Sequence, residues 1–501
     1  MCPLSATNEN DVLDTYKVNV YGVELRVIIT KDRRYIIKEP NARISEKELI
    51  EMIKRIREGK KKVGIIRDRI LKYTILKEQG LKEIEPLLHD PLVEDIFIDE
   101  DNVDVIHSKF GLLRTNIKVN DIFSLIERIA LLSGVYVNYA MPRRRITISR
   151  GRTRFRVSIA LAPEAASKTS IAIRRLDFSL YPLPKLIAMK CLPPIVAAYI
   201  ISLMNLRRTG LITGVPSSGK TTIMVSFLPF IQNVKIVLIQ HSDEIYLPPQ
   251  YYTYESLKVD YERQEYGSLM DNLDMAVLER SPGFIVIDDL HFDSRGNEPW
   301  ALLQFGRIKC GMMVTLHGES PIKVLGRFAT RPIFAGIDEI CEAIDYIVVM
   351  SYDNESRQRY VNSLYVLDGR RMVNIFSRLG DKEIIAHPGN VYEVEPIRNA
   401  IKYANFIINK IDDEEAYVQF IFALAGFLER VRQLKPNISF DLFTKLVREL
   451  VVYNFDKLVR KFSDYTPPHD FIDKPLCINL REVFKSETTG GDEYVNVSLS
   501  P

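Results

Sequence analysis

The sequence of 501 residues has no apolar run long enough to cross a bilayer. Its longest apolar stretches, Leu192–Met204 and Ala416–Leu428, fall short of the roughly 20 residues a spanning helix needs. Both read as buried helices. Met1–Asn10 lacks a basic region followed by an apolar one, so no secretory signal is expected, and Cys2 reads as an ordinary second residue. The five cysteines (Cys2, Cys191, Cys310, Cys341 and Cys477) are scattered without a C-x-x-C pair, which fits a reducing cytoplasm and excludes a zinc framework built on thiolates. An excess of one charge is also missing. With 68 Lys and Arg against 65 Asp and Glu, the formal net charge is +3, which argues against a protein that coats nucleic acid. No internal repeat is visible. The expectation is a soluble protein whose membrane association, if it has any, runs through a partner.

A composition of 46% hydrophobic and 27% charged residues is that of a globular chain, and the length calls for two or three domains. Short alternating runs at Tyr16–Val20 and Glu24–Ile29 predict a hairpin. Residues 45–89 turn helical, with Lys60-Lys61-Lys62 as a solvated helix face. From Asp95 to Arg175 strands and helices alternate: Val103–Ile106 and Arg152–Ile159 are strand-like and Asp121–Leu132 helix-like. Two prolines in Asp177–Leu186 break the periodicity and mark a linker. Beyond it, apolar strands at Gly210–Thr213, Val234–Ile239, Phe284–Ile287 and Met312–Leu316 alternate with helices at Lys220–Pro229 and Glu298–Ile308. That pattern predicts a parallel sheet covered on both faces. Ile344–Phe376 reads as antiparallel strands, 395–463 as helices, and Ser486–Pro501 as a polar tail.

The sharpest local signal is Gly214-x-x-x-x-Gly219-Lys220-Thr221, which fits the phosphate-loop pattern at every fixed position. Glycines at these spacings let the chain turn so that successive amide N–H groups point inward at phosphate oxygens. Lys220 adds a point charge, the Thr221 hydroxyl can ligate magnesium, and Ser217, Ser218 and Thr222 complete the cradle. The loop follows an apolar strand and opens a helix, where such a loop must sit. ATP with Mg2+ is the expected ligand.

The surrounding boxes resemble the motor ATPases of type II secretion, type IV pili, archaeal flagella and conjugation, over roughly residues 80–375. Upstream, Asp90-Pro-Leu-Val-Glu-Asp-Ile, Val105–Asn116, Gly151-Arg-Thr-Arg-Phe and Ile173-Arg174-Arg175 resemble that family's N-terminal domain, the second of them its archaeal branch. Downstream, Thr315-Leu316-His317-Gly318 matches its histidine box, and Gln304, Arg327 and Ile344–Met350 fall at family spacing. The departures are local. The acidic box reads Ile239-Gln240-His241-Ser242-Asp243-Glu244-Ile245 and keeps only its last carboxylate in register. The Gly-Glu ending of the next strand is Asp288-Asp289, followed by what looks like a four-residue insertion at Leu290–Asp293, and a Gly-His pair is replaced by Lys309-Cys310.

The resemblance implies an α/β chain with a RecA-like P-loop ATPase core, an α/β N-terminal domain and a helical C-terminal part. The expected layout is 1–176 N-terminal domain (helical over 45–89), 177–190 linker, 191–394 ATPase domain, 395–485 helical region and 486–501 tail. A hydrolysing site of this kind needs a magnesium-linked carboxylate and a group that orients the attacking water. Asp288 and Asp289, ending a buried strand at its carboxyl edge, are candidates for the first task, with Asp293 as an alternative. Glu244 is the candidate for the second, and otherwise an exposed acid. His317 would sense the γ-phosphate, and otherwise fills a core position. In the family, N-terminal-domain arginines reach the phosphates, and Arg154 and Arg174 match best, whereas Arg143, Arg144 and Arg145 read as surface charge. The implied assembly is a homo-hexamer at the inner face of the cytoplasmic membrane, pushing on a polytopic platform protein that handles pilin-like subunits. Two other readings stand beside it: a divergent nucleotide-binding paralogue with little hydrolysis, and a DNA translocase.

Overall fold

The computed structural model describes residues 11–480 apart from 41–43, 61, 141, 151–152, 177–179, 232–233, 242–244, 260–266, 280–281, 293–296, 354, 381, 404–412, 453–454, 463–464, 469–470, 473–474 and 476. The polar tail and the candidates Glu244 and Asp293 therefore lie outside the described residues. The chain divides into two compact units, Met1–Phe178 and Ser179–Pro501.

The first unit opens on the expected hairpin, Val12–Val20 against Val23–Thr30. Its two-residue turn, Tyr21-Gly22, has positive φ at both positions (53° and 88°), which matches the twist of a tight hairpin. The helix Glu46–Arg57 begins with a capping box between Ser45 and Glu48 and stops at Arg57. Lys60 and Lys62 therefore follow the helix instead of lining it, and Lys62 is already extended, while Lys61 lies outside the described residues. A second helix covers Arg69–Gln79. Nine strands form one sheet in the order Val12–Val20, Val23–Thr30, Arg34–Lys38, Gly111–Thr115, Val103–His107, Val93–Ile98, Ser170–Leu176, Thr153–Ala160, Arg143–Arg150. Neighbours are antiparallel except Arg34–Lys38 and Gly111–Thr115, which run parallel.

Two motif residues of this unit are structural. Asp90 is fully buried and accepts hydrogen bonds from the hydroxyls of Tyr16 (2.6 Å) and Tyr35 (2.7 Å). His107 is buried with Nε2 3.1 Å from the Tyr16 hydroxyl. A carboxylate in a core persists only when donors surround it, and these tyrosines supply them.

The second unit is built on an eleven-stranded sheet. Six strands run parallel in the order Thr253–Lys258, Lys235–Gln240, Phe284–Leu290, Met312–His317, Thr209–Gly214, Tyr346–Tyr352. Arg359–Asp368, Arg371–Leu379 and Lys382–Ala386 then continue it antiparallel. Apart from the polar edge strand Thr253–Lys258, the parallel strands are apolar on both faces, and their side chains alternate between two cores. Ile212, Ile236, Leu238 and Val286 join one core, while Leu211, Val237, Ile239 and Ile287 join the other. Tyr346–Tyr352 is parallel to its neighbour on one side and antiparallel on the other, so the expected antiparallel block begins one strand later.

The linker span contains a helix, Leu183–Ala188, because Leu183, Leu186 and Ile187 bury in the first of these cores. The entirely buried helix Pro194–Asn205 and the 21-residue helix Glu414–Leu434 share that core, joined by Tyr417 and Ser202 hydroxyls 3.1 Å apart. The helical C-terminal segment thus packs on the sheet's own core. Among the described residues no helix is long and apolar enough to cross a membrane.

Candidate functional site

The phosphate loop leaves the strand Thr209–Gly214 at the carboxyl edge of the parallel sheet. Gly214 is required by close approach, since a Cβ there would sit 2.6 Å from Met350 O and Ser218 Oγ. Ser217 and Gly219 take φ of 62° and 90°, and Gly219 caps the helix Lys220–Phe227. The turn gathers N–H groups at that helix N-terminus, the arrangement that binds anions. Ser218 is fully buried, and its Oγ has no hydrogen-bond partner among the described residues.

Lys220 is largely buried, and its ammonium is not idle. It donates to Gly214 O (3.2 Å) and Val215 O (3.1 Å) and lies 3.2 Å from His317 Nδ1. Burial holds its pKa below the ordinary lysine value, with the charges of Asp289 and Asp288 opposing. An ammonium has only donors, so Nδ1 of His317 accepts and its Nε2 carries the proton. That Nε2 faces Asp289 Oδ1 at 3.3 Å. His317 is in register with Gly214 on the adjoining strand, with its side chain half exposed, and it is not a core histidine. Burial, then the Lys220 charge, holds its pKa below the usual histidine value despite Asp289.

Consecutive residues of a strand point to opposite faces, yet Asp288 and Asp289 both serve this site. The reason is a bulge. Pairing with Met312–His317 shifts register between Ile287 and Leu290, and Asp289 takes φ of 65°. Asp288, buried, accepts through Oδ1 from the hydroxyls of Thr221 (2.8 Å) and Thr315 (2.7 Å). The Asp289 amide donates to the same Thr315 oxygen at 2.7 Å, which pins the left-handed residue. Asp289 then turns to His317 and to His291, whose Nε2 is 3.0 Å from Asp289 Oδ2. Burial works against its charge, but the hydrogen bond from His291 and the charges of His291, His317 and His241 prevail, holding its carboxyl below the usual range.

The two carboxylates thus divide. Asp288 reaches the Thr221 hydroxyl, and Asp289 faces histidines. ATP and Mg2+ fit these residues: the glycine cradle, the buried Ser218 hydroxyl and Lys220 suit phosphates, and the Thr221–Asp288 pair suits a hard cation that keeps its waters. Thr222 lines a neighbouring cavity of about 150 Å³ together with Tyr181, Met189, Gly219, Arg357 and Arg359. Pattern reading missed that cavity, because its residues are far apart in sequence and carry no spacing signal.

Gln240 stands where the resemblance implies an acid, and its amide has a visible role. Its amide accepts from Ile245 N (2.9 Å) and donates to Ser256 Oγ (2.9 Å) and Ile245 O (3.3 Å). A carboxylate could not donate. Arg154 and Arg174 belong to the first unit, on adjacent strands, and Arg174 is paired with Asp95 at 2.7 Å.

No family model matches the chain. It is similar to the uncharacterised protein MJ0900 of Methanocaldococcus jannaschii, with 29% identity over 277 residues, 53% of this chain and 48% of that protein. The chain thus spans about half the length of that relative. A second protein of the same organism, MJ1287, is 24% identical over 285 residues, 54% of this chain and 97% of its own. Among solved structures, the Legionella pneumophila ATPase DotB superposes at a TM-score of 0.41 with 16% identity, covering 72% of this chain and 92% of that one. The VirB11 ATPase of the Brucella suis type IV secretion system, solved with sulfate, gives 0.29 and 18%, covering 57% and 93%. At these scores neither superposition carries an inference.

Proposed function

We propose that this chain has a RecA-like core and is an ATP-hydrolysing motor subunit, working as a homo-hexamer that powers assembly or secretion of pilin-like filaments through a membrane platform protein. The carrying observation is the joint between loop and strand: Lys220 contacts His317, and Thr221 bonds Asp288 at 2.8 Å. Lys220, the loop amides and Ser217, Ser218 and Thr222 hold the phosphates. Thr221 and Asp288 hold Mg2+, which neutralises phosphate charge when bound. His317 lies where it can hydrogen-bond a terminal phosphoryl, with Asp289 fixing its tautomer. The 150 Å³ cavity beside Gly219 and Thr222 suits the nucleoside end. Glu244 orients water, and Arg154 and Arg174 supply charge to the phosphoryl, in cis or from a neighbouring subunit. The order and spacing of the family boxes support the filament role and a station at the inner face of the membrane.

Phosphate release by the purified chain, with and without its platform partner, tests this reading. Turnover that needs Lys220 and rises with the partner supports the motor. Tight binding with no turnover under either condition favours the divergent paralogue, for which the altered acids at Gln240 and His241 speak. Salt-sensitive DNA stimulation would favour the translocase, which the net charge of +3 does not encourage.

A further inference from the structure

His241, His291 and Glu298 converge from three places beside the phosphate site. His241 follows the strand Lys235–Gln240, His291 follows the bulged strand Phe284–Leu290, and Glu298 lies in the first turn of the helix Asn297–Gly306. One potential ligand atom from each lies within 4.8 Å of the others. The two imidazoles stack with centroids 4.6 Å apart and planes 7° from parallel, and His241 Nε2 is 3.5 Å from Glu298 Oε2. The Glu298 carboxylate is buried. Oε2 accepts the His291 amide at 2.8 Å, and Oε1 has no hydrogen-bond partner among the described residues. A buried carboxylate oxygen left in that state costs stability, and a cation would satisfy it.

The donor set is wrong for magnesium, which prefers oxygen and octahedral waters, and right for a borderline ion that takes imidazole nitrogen. Two histidines and a glutamate make a three-ligand site with an open fourth position. Tetrahedral ligand atoms stand about 3.3 Å apart, so the cluster needs only a modest contraction to close on an ion. Asp289, 3.0 Å from His291 Nε2, links the cluster to His317 and Lys220. We propose that His241, His291 and Glu298 form a binding site for a zinc-class divalent cation, separate from the magnesium position at Thr221 and Asp288. The ion ties the ends of two parallel strands to the following helix and fixes Asp289 through His291. On this reading, the histidine that stands in place of a family acid exchanges one form of charge control for another.

The test uses the untagged full chain, stripped with chelator and titrated with Zn2+ against a competing fluorescent chelator. One equivalent should bind with a Kd at or below about 1 μM. His291→Ala and Glu298→Gln, each confirmed as folded by circular dichroism, should each weaken binding by at least about 10-fold. His241→Asn provides an independent third reading should either of these fail to fold. With Co2+ in place of Zn2+, visible bands of a low-symmetry four- or five-coordinate ion should appear in the parent and vanish in the variants. Lys220→Ala should keep the zinc equivalent while losing nucleotide, so failure of one site is distinguishable from failure of the other. Zinc binding no tighter in the parent than in the variants would overturn the proposal, as would full retention of binding in all three.

Discussion

Removing the Lys220 side chain tests the loop most directly, and the structure changes what that removal should do. In the structure the ammonium donates to Gly214 O and Val215 O and contacts His317 Nδ1. It therefore latches the loop, and phosphates would exchange these acceptors for better ones. A hydrogen bond to a charged group contributes about 1.5–3 kcal/mol net. Because the carbonyl bonds are surrendered on binding, one such increment is a fair measure of what the lysine adds to nucleotide affinity. At 1.4 kcal/mol per decade this is a weakening of about 10- to 150-fold in Kd. Lys220→Met keeps the stem and removes only the charge, so it separates packing from electrostatics. The apo fold should survive both changes: the carbonyls lose partners, but a partly buried ammonium is relieved at the same time. The assay is a fluorescent-nucleotide titration beside a thermal melt. Affinity held within threefold in a folded Lys220→Met protein would refute the assignment of Lys220 to the phosphates.

Asp288→Asn should keep the fold, since an amide oxygen still accepts from Thr221 and Thr315, and should abolish the Mg2+ dependence of nucleotide binding; an unchanged ratio of affinities with and without Mg2+ would count against its metal role. His317 titrates below its ordinary 6.5 in the free protein, and a phosphate nearby should raise it, so nucleotide affinity should climb as pH falls below 6.5 and the climb should vanish in His317→Asn. Stability of the free protein should move the opposite way over that window, because the unfolded state takes up the proton first. Gly210→Ala places a Cβ on the ring of Tyr346 in the neighbouring strand, and overpacking there should cost about 1–3 kcal/mol in urea denaturation; a neutral result would mean that the strand pair can slide.

The sequence made the loop and its flanking strands legible because each signal is local. Gly214, Gly219, Lys220 and Thr221 fall within one turn and one helix start, and the apolar run Phe284–Ile287 announces a buried strand without reference to anything distant. The division of labour between Asp288 and Asp289 was not legible, because it depends on a bulge. Nothing in the pair of aspartates says that Asp289 adopts φ of 65°, and only the partner strand's Thr315 shows why it can. The helix at Leu183–Ala188 was hidden by its prolines, which read as breakers although one stands in its first turn, where proline is tolerated. The lysine run was misplaced by two or three residues for the usual reason that charge pattern does not mark a helix end. The His241, His291 and Glu298 cluster was invisible because His241 lies fifty residues before His291, and the seven residues from His291 to Glu298 match no ligand spacing.

Charge balance connects these observations. Two carboxylates, Asp288 and Asp289, stand beside one ammonium, Lys220, and burial holds His317 toward its neutral form. The site's own side chains therefore lean negative, yet the proposed ligand is a polyanion. Binding has to import positive charge, and each source has a place. A divalent ion at Thr221 and Asp288 cancels one carboxylate. A second proton on His317, at Nδ1, makes the ring a cation with donors on both nitrogens and strengthens its contact with Asp289. A cation held by His241, His291 and Glu298 would draw on the field of Asp289 from its other side. These sources substitute for one another in part, so their effects on affinity should not add. The pH dependence of nucleotide binding should be steepest when Mg2+ and Zn2+ are both withheld, and should flatten as either is restored. A pH slope that ignores both metals would mean that Asp289 and Asp288 are screened from the phosphates, and that the loop works alone.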